Sequence, residues 1–386
     1  MLYIVHSYSS FQKDQIESMS PYFEICNVFV RSNPVAEISN YFHVPYLERY
    51  KLSSKIDKTN LPSNINIFNT PLLYFPYDKQ YKKLGSKHLK KVNTIIKNRN
   101  LNFDMIHAHF TWSAGYVGAK LKEKYDVPFV VTAHGYDIYE LPFKDKEWRT
   151  NIEYVLNAAD AIITVSESNS KYIKKLGVDT PVHIVPNGYR RDLFYQMDME
   201  RSRNKLNLPH DKKIILTVGN LVDVKGHKYL IEAMGHITKH RSDVMCVIVG
   251  SGKLETQLRK KITDMNLEDH VRLIGSKPHN EIPVWMNACD VFVLPSLNES
   301  FGVVIVEAMA CGKPVVASAV GGITEIITNN SLGVLCKPED IRALTDALEQ
   351  AFDKDWNRDV IRTYAERYSL EEIGKEIIRI YKTVMD

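Results

Sequence analysis

Short apolar runs alternate along this chain with segments whose apolar residues recur every three or four positions. Runs such as IILTV (214–218) and VFVLP (291–295) do not alternate with polar residues, which is typical of strands covered on both faces. Helical segments between such runs predict repeated strand–helix–strand units, and therefore parallel sheets. The predicted strands form two series: 2–6, 23–30, 105–110, 128–134, 161–166 and 182–186, then 214–220, 244–252, 271–276, 291–296 and 314–318.

A turn at Asn187-Gly188 and a long polar stretch separate the two series of strands. At 386 residues the chain is too long for one ordinary core. We therefore predict an α/β protein with two doubly wound, Rossmann-like domains, residues 1–190 and 191–365. We expect the C-terminal helix, about 366–386, to pack back on the first domain. Because ligands of open parallel sheets bind at the carboxyl ends of the strands, we also expect the two domains to face each other across a binding cleft.

Composition narrows the class of protein. Hydrophobic residues make up 44% of the chain and charged residues 25%, as in globular proteins. No run approaches the roughly 18 apolar residues of a membrane span. The first residues, MLYIVHSYSS, lack the basic segment and the long apolar segment that a signal peptide has, so we expect no signal peptide there. Five scattered cysteines without a CxxC pair favour buried, reduced thiols over a metal site. We expect a cytoplasmic protein.

The positive charge is concentrated in the first half of the chain. Residues 1–186 carry 23 Lys or Arg against 18 Asp or Glu, and the remainder carries 27 against 28. Residues 79–99 hold eight of these basic residues and no acid, with apolar positions at helical spacing. This pattern fits a solvated helix packed by one face, or a helix that contacts an anionic membrane surface. Nucleic acid is a weaker interpretation, because no aromatic platform accompanies the charge.

Two glutamates, Glu299 and Glu307, lie on either side of the start of a predicted helix that follows the strand at 291–296. Helix N-terminal amides attract phosphate. A carboxylate one turn into the helix can accept the hydroxyls of a ribose, and a carboxylate in the preceding loop can hold a second sugar. The spacing therefore suits a nucleoside diphosphate sugar. Complementation of the helix dipole is the simpler alternative for an acid near a helix start.

Five segments in order resemble the retaining glycosyltransferases of family four, which have the GT-B fold. The resemblance covers roughly residues 100–350. The segments that carry it are AADAIITVSES (158–168), IVPNG (184–188), TVGNLVDVKG (217–226), ESFGVVIVEAMACGKPVV (299–316) and VGGITEII (320–327).

The resemblance implies roles for individual residues. His134, Lys225 and Glu299 would be catalytic: His134 beside the donor sugar, Lys225 on the diphosphate and Glu299 on the transferred sugar. Positive charge at a phosphate leaving group also has an independent physical reason. The residues implied to bind the donor are Gly219, Asn220, Lys225, Gly250, Gly275, Ser276, Lys277, Glu299, Ser300, Phe301, Gly302, Val303 and Glu307.

Three features qualify the resemblance. Asn220 stands where the family usually has an arginine, so the diphosphate would depend more on Lys225 and the helix amides. The first loop, HSYSSFQKDQI (6–16), lacks the family's glycines. His107 and His109 are more readily explained as architectural residues than as catalytic ones, although His109 could line an acceptor pocket.

The function that the resemblance implies is transfer of a sugar from a UDP- or GDP-sugar to a glycan or lipid-linked acceptor, in cell-surface polysaccharide or glycoconjugate biosynthesis. Retention would proceed through a short-lived ion pair whose departing phosphate takes the acceptor proton, without a cofactor or metal. We expect a cytoplasmic enzyme that associates peripherally with the inner face of the cell membrane through residues 79–99. The alternatives are a sugar-nucleotide epimerase or phosphorylase of the same fold, or a non-catalytic sugar-nucleotide-binding subunit.

Overall fold

The chain folds into two compact units, each built on one parallel sheet. The structure, a computed structural model, describes residues 1–40, 51–75 and 77–386. The first unit comprises Met1–Gly188 together with Leu370–Asp386, and the second comprises Tyr189–Ser369.

The sheet of the first unit has seven strands in the order β3-β2-β1-β4-β5-β6-β7. All neighbouring pairs are parallel. The strands are β1 (Leu2–Val5), β2 (Cys26–Ser32), β3 (Ile65–Pro71), β4 (Ile106–His109), β5 (Phe129–Ala133), β6 (Ala161–Thr164) and β7 (Val182–Ile184).

The sheet of the second unit has six strands in the order β10-β9-β8-β11-β12-β13, again all parallel. The strands are β8 (Lys213–Val218), β9 (Val244–Val249), β10 (Val271–Leu273), β11 (Val291–Leu294), β12 (Val315–Ser318) and β13 (Gly333–Cys336).

Helices connect successive strands in both units. In the first unit they are α1 (Ser10–Met19), α2 (Leu52–Lys55), α3 (Asp78–Lys82), α4 (Leu84–Arg99), α5 (Tyr116–Tyr125), α6 (Tyr136–Tyr139), α7 (Leu141–Lys144), α8 (Lys146–Ala158) and α9 (Glu167–Lys174). In the second they are α10 (Met199–Leu206), α11 (His227–Ile237), α12 (Glu255–Asp264), α13 (Ile282–Ala288), α14 (Val303–Ala310), α15 (Ile323–Ile326), α16 (Ile341–Asp353) and α17 (Arg358–Ala365). The last helix, α18 (Leu370–Met385), belongs to the first unit.

Both faces of the first sheet are covered, because alternate residues of β1 enter different cores. Leu2 and Ile4 pack in one apolar cluster, and Tyr3 and Val5 pack in the other. Side chains of a strand point to opposite faces in turn, so the two clusters lie on opposite faces of the sheet. α18 covers the second of them with a buried apolar stripe: Ile373, Ile377, Ile380 and Tyr381.

The second sheet is buried in the same way, since Ile214, Ile215 and Leu216 in β8 are all at most 1% exposed. An uninterrupted apolar run is what a central strand covered on both faces requires. The five cysteines of the chain are all buried and free, as their scattered positions predicted.

The structure corrects the predicted elements in three places. β2 begins at Cys26 instead of residue 23, and the pattern missed both β3 and β13. These two are edge strands of their sheets. β3 is only partly buried and carries Asn and Thr, so its apolar run is interrupted. The edge position accounts for β3, because a strand with one neighbour has less cover. β13 is apolar and mostly buried, so its edge position does not explain why the pattern missed it.

The basic stretch at 79–99 is two helices instead of one. α3 ends at Lys82 and α4 begins at Leu84. Lys82 does not add to the basic surface, because its Nζ lies 2.6 Å from Asp145 Oδ2 and 3.1 Å from Glu147 Oε2. The predicted apolar face of α4 does pack inward, through Leu84, Val92 and Ile96 with Leu89 and Ile95 partly buried.

Candidate functional site

The predicted donor residues lie at the carboxyl edge of the second sheet. β8 is paired with β9 on one side and with β11 on the other, so the strand order reverses at β8. Open α/β sheets bind ligands at such a switch point, beyond the carboxyl ends of the strands. The β8 loop (219–226) contains Lys225, and the β11 loop (295–302) contains Glu299. The two residues therefore leave adjacent strands at the position where a ligand is expected.

Lys225 and Glu299 form an ion pair. Lys225 Nζ donates to Glu299 Oε2 at 2.5 Å. The side chains are 22% and 15% exposed, so the pair is shielded but open to a ligand. The two loops are also joined through the backbone, where Leu297 N donates to Val224 O at 2.7 Å.

A glycine permits the close contact between these loops. Gly226 has φ +66°, and a Cβ built on it would lie 1.9 Å from Pro295 O. A side chain at that position would push the β8 loop away from the β11 loop. The separation of Lys225 from Glu299 therefore depends on glycine next to the lysine.

The loop after β12 supports Glu299 from another side. Gly322 N donates to Glu299 O at 3.1 Å. Gly321 has φ +48°, and a Cβ on it would lie 1.9 Å from the same oxygen. The backbone of Glu299 is thus held by a hydrogen bond and by a close approach that only a bare glycine backbone allows.

Glu307 is the second acid of the predicted pair. It lies in α14, about one turn from the start at Val303, and it is 5% exposed. Its Oε1 lies 3.1 Å from His279 Nε2. His279 opens a short 3₁₀ turn after β10 and was not singled out from the sequence. Its one local signal is its position two residues beyond Lys277, which the resemblance implies to bind the donor.

The start of α14 places the remaining residues of the β11 loop. Gly302 precedes the helix with φ +90°. Ile305 N donates back to Gly302 O at 2.9 Å, so the amides without an intrahelical acceptor are those of Val303 and Val304. The Phe301 side chain is 3% exposed and packs 5.6 Å from the Tyr368 ring. Phe301 can therefore contact a ligand only through its backbone. Ser300 and the amides at the start of the helix are the other groups here that can contact it.

Three of the predicted glycines are brought together at the ends of neighbouring strands. Gly219 N donates to Val249 O at 3.0 Å, and Gly250 N donates to Gly275 O at 2.9 Å. A Cβ on Gly250 would lie 1.9 Å from Gly219 O, so bulkier residues would separate β8 from β9 here. Beside them, Asn220 and Ser276 are exposed and Lys277 is partly buried.

His134 follows β5 in the first unit and is held by neighbouring polar groups. Its Nε2 lies 3.1 Å from His109 Nδ1. Asp137 accepts the backbone N–H groups of His134 and Gly135 at 3.1 and 2.9 Å. Burial lowers the pKa of His134 well below its ordinary value and that of His109 to about 3. His134 is therefore a neutral imidazole near pH 7, suited to hydrogen bonding and not to charge stabilisation.

His107 has a different environment from His134. Its Nδ1 lies 2.6 Å from Tyr381 Oη and its Nε2 lies 2.7 Å from Thr132 Oγ1. Both ring nitrogens are thus occupied inside the core, and the residue links β4 to β5 and α18.

Neither a metal cluster nor a membrane-spanning helix occurs in the described part of the chain. No group of three or more His, Cys, Asp or Glu side chains in 1–40, 51–75 and 77–386 is arranged to hold a metal ion. No helix in the same ranges is long and apolar enough to cross a bilayer.

Two parallel-sheet α/β units, with charged side chains gathered at the switch point of the second, define a protein of the GT-B class. Family models agree with this assignment. Glycosyl transferases group 1 matches residues 198–368, and Glycosyltransferase Family 4 matches residues 53–193. D-inositol 3-phosphate glycosyltransferase 1 of Catenulispora acidiphila is 32% identical, over 71% of this chain and 74% of the relative. The chain belongs to the group 1 glycosyltransferases, and it is a transferase.

Two further proteins show the range of the likeness. A putative teichuronic acid biosynthesis glycosyltransferase of Bacillus subtilis is 29% identical, over 79% of this chain and 76% of the relative. The solved structure of HepE from Anabaena, in complex with UDP, superposes with a TM-score of 0.75 at 22% identity and covers 99% of both chains. HepE has also been solved with UDP-glucose.

Proposed function

We propose that this glycosyltransferase takes its sugar from a nucleoside diphosphate sugar, linked to UDP or GDP, and transfers it with retention to a glycan or lipid-linked acceptor. The observation that carries the proposal is the grouping of Lys225, Glu299 and Glu307 at the switch point of the second sheet. A positive charge, two carboxylates and the start of a helix together match the parts of such a donor.

Each part of the donor has a suitable partner. Glu307 would accept the ribose hydroxyls, with its carboxylate held in place by His279. The amides at the start of α14 would bind phosphate oxygens. Glu299 would accept hydroxyls of the transferred sugar, and the glycine-rich ends of β8, β9 and β10 would allow the base to approach the backbone.

Lys225 would change partners when the donor binds. It is paired with Glu299, and a diphosphate offers it more negative charge than one carboxylate. Transfer of Lys225 to the diphosphate would release Glu299 for the sugar. As the glycosidic bond breaks, charge grows on the leaving phosphate, where a preorganised cation lowers the barrier. Asn220 brings no charge, so Lys225 would carry most of this stabilisation.

Retention would not need a protein nucleophile. The departing phosphate would stay beside the short-lived sugar cation and take the proton of the acceptor hydroxyl, which then attacks from the same face. His134, being neutral, would contribute a hydrogen bond to the donor sugar. No step of this scheme requires a cofactor or a metal ion.

The donor is tested with the full chain by thermal unfolding in the presence of UDP- and GDP-sugars. A ligand at 100 times its Kd adds about 2.7 kcal/mol to stability, so one nucleotide series should raise the melting temperature and the other should not. The stabilising sugar is then incubated without acceptor to look for an epimer, and transfer to an acceptor is measured separately with and without EDTA. Conversion to an epimer would instead support an epimerase, and loss of turnover in EDTA that Mg²⁺ restores would contradict the metal-free scheme.

We propose further that the acceptor is met at the inner face of the cell membrane, in polysaccharide or glycoconjugate biosynthesis. The basic face of α4 supports this, and it consists of Lys83, Lys87, Lys90, Lys91 and Lys97, all exposed. Lys83 directly precedes the helix, Lys87 follows Lys83 by four residues, Lys90 and Lys91 follow Lys87 by three and four, and Lys97 lies seven beyond Lys90, so they share one side of the helix away from its buried stripe. Within the described ranges none of them pairs with an acid, so the face can attract anionic lipid. Exposed Leu73, Phe75 and Tyr77 precede it in the chain.

A further inference from the structure

Arg31 is a buried cation in the first unit that lacks an acidic partner within the described part of the chain. It is the penultimate residue of β2 and is 9% exposed. Among residues 1–40, 51–75 and 77–386, no carboxylate lies within ion-pair distance of its guanidinium. In the same ranges its side chain makes one hydrogen bond, from Nη1 to Ser113 Oγ at 3.2 Å. Arginine is rarely buried unless it is paired, and its guanidinium has further donor positions to offer a ligand.

The neighbours of Arg31 that the structure describes hold the guanidinium in place and bring no negative charge to it. Its Cζ lies 5.7 Å from the centres of both the Tyr74 and Tyr81 rings, within cation–π range. Ser113 is fixed in turn by His88, whose Nδ1 lies 3.1 Å from Ser113 Oγ. Burial and the charge of Arg31 lower the pKa of His88 to about 3. The cluster of these five residues therefore carries one net positive charge near pH 7.

The position of Arg31 in the sheet is that of a ligand-binding residue. β2 lies next to β1, and β1 lies next to β4. The carboxyl ends of these parallel strands share one edge, where Arg31, His6 and the segment that contains Ser113 meet. Arg31 is close enough to His6 to lower the pKa of that histidine, in addition to the larger effect of burial. Ligands of doubly wound sheets bind beyond this edge, and the same edge carries His134 at the end of β5.

We propose that Arg31 anchors an anion-binding subsite in the first unit, which takes a phosphate or carboxylate group of an acidic acceptor. The planar guanidinium can bind two oxygens of such a group at once, while the two tyrosine rings and Ser113 keep it oriented. The inference rests on the proposed transferase reaction and adds the chemical class of the acceptor to it. Residues 1–40, 51–75 and 77–386 supply no acidic partner for this guanidinium, and an acidic group on the acceptor would provide one.

The test uses inorganic phosphate as the probe and the full chain as the protein. Phosphate is titrated calorimetrically in the presence of saturating UDP or GDP, whichever binds, so that the diphosphate-binding residues of the second unit are occupied. Arg31→Gln should weaken phosphate binding about 10- to 100-fold, as expected for loss of charge-assisted hydrogen bonds. Arg31→Lys keeps the positive charge but loses the planar guanidinium that binds two oxygens at once. Its phosphate affinity should therefore lie between those of Arg31→Gln and the wild type. Lys171→Gln, which removes an exposed cation of α9 in the same unit, is the matched control and should bind phosphate like the wild type.

Several outcomes are informative. Folded Arg31→Gln that binds phosphate within twofold of the wild type would show that the arginine only supports Ser113, and would overturn the subsite. If Arg31→Gln does not fold, Ser113→Ala replaces it, and unchanged phosphate affinity in that variant would overturn the subsite equally. Nucleotide affinity measured on the same samples separates the two proposals. Normal nucleotide binding without Arg31-dependent phosphate binding contradicts the subsite alone. Arg31-dependent phosphate binding without nucleotide binding contradicts the donor assignment alone.

A second arm identifies the source of the anionic group. Vesicles containing phosphatidic acid are co-sedimented with the protein at high salt, which screens the exposed lysines. Binding that depends on Arg31 under these conditions supports a lipid phosphate. Arg31-dependent binding of inorganic phosphate without vesicle binding supports a soluble acidic acceptor.

Discussion

Gly321→Ala tests whether the contact beneath Glu299 positions that carboxylate for the reaction. The new Cβ would lie 1.9 Å from Glu299 O, whereas real Cβ atoms essentially never approach closer than 3.0 Å. The two loops must therefore separate by about 1 Å. Because the colliding atoms belong to the backbone, no side-chain rotation relieves the contact, and Glu299 itself must move.

The size of the effect follows from that displacement. A misplacement of about 1 Å at a reacting centre can cost on the order of 10²-fold in rate. We expect turnover with the stabilising nucleotide sugar to fall by roughly that factor. The φ of +48° adds a separate cost in stability of about 1–2 kcal/mol for any L-residue.

Gly177→Ala is the matched control for Gly321→Ala. Gly177 also has a left-handed backbone, with φ +69°, but nothing lies within 4 Å of the position that its new Cβ would take. The control should lose a similar amount of stability in thermal unfolding and keep its turnover. If Gly321→Ala turns over at the wild-type rate, with no more destabilisation than the control, the contact does not position Glu299 and the reasoning is wrong.

Four further predictions concern the donor, the leaving group, the membrane and pH. Glu307→Ala should weaken nucleotide-sugar binding in calorimetry by about 10- to 100-fold, the value of a lost charge-assisted hydrogen bond. Lys225→Ala should reduce steady-state turnover about 10²-fold or more, since single preorganised donors to a developing charge are worth that much. Replacing the lysines of the basic face by Gln should abolish co-sedimentation with anionic vesicles at low salt, because each contributes on the order of 1 kcal/mol. Finally, chemical denaturation should show the free energy of unfolding falling below about pH 6.5, where histidine in the unfolded chain gains a proton. Burial lowers the pKa of His88 and His109 to about 3, so both side chains stay neutral in the folded protein. Each should therefore reduce the free energy of unfolding by roughly 1.4 kcal/mol per pH unit in this range.

Each of these measurements has a result that contradicts it. Equal donor affinity in Glu307→Ala would place the ribose elsewhere, and turnover within twofold in Lys225→Ala would make that lysine a bystander. The control for the vesicle experiment is a variant with Gln in place of Lys171, Lys174 and Lys175, which are exposed on or just after α9. This variant should still co-sediment with anionic vesicles. Wild-type protein that stays in the supernatant would instead favour a soluble acceptor. His88→Gln should have a shallower acid slope than the wild type, and an equal slope would mean that His88 is not the residue that titrates.

The sequence by itself determined the features that depend on neighbours along the chain. Uninterrupted apolar runs separated by helical segments identified the parallel-sheet class, because a central strand must be apolar on both faces whatever surrounds it. The spacing from Glu299 to Glu307 placed one acid in the loop and one about a turn into α14, since a strand, a short loop and a helix start follow one another locally. The family resemblance supplied the donor-site glycines such as Gly219 and Gly250, whereas the close backbone contacts at Gly226 and Gly321 are visible only in the structure.

Only the tertiary structure decided which of these residues meet. Lys225 and Glu299 are 74 residues apart, and Glu307 and His279 are 28 apart. Their contacts follow from the strand order, in which β8 lies beside β11, and no local pattern encodes that order. The same is true of Arg31 and Ser113, which are 82 residues apart. A strand pattern shows that an arginine lies near a strand end, but its burial and its surroundings depend on what distant segments bring to that edge.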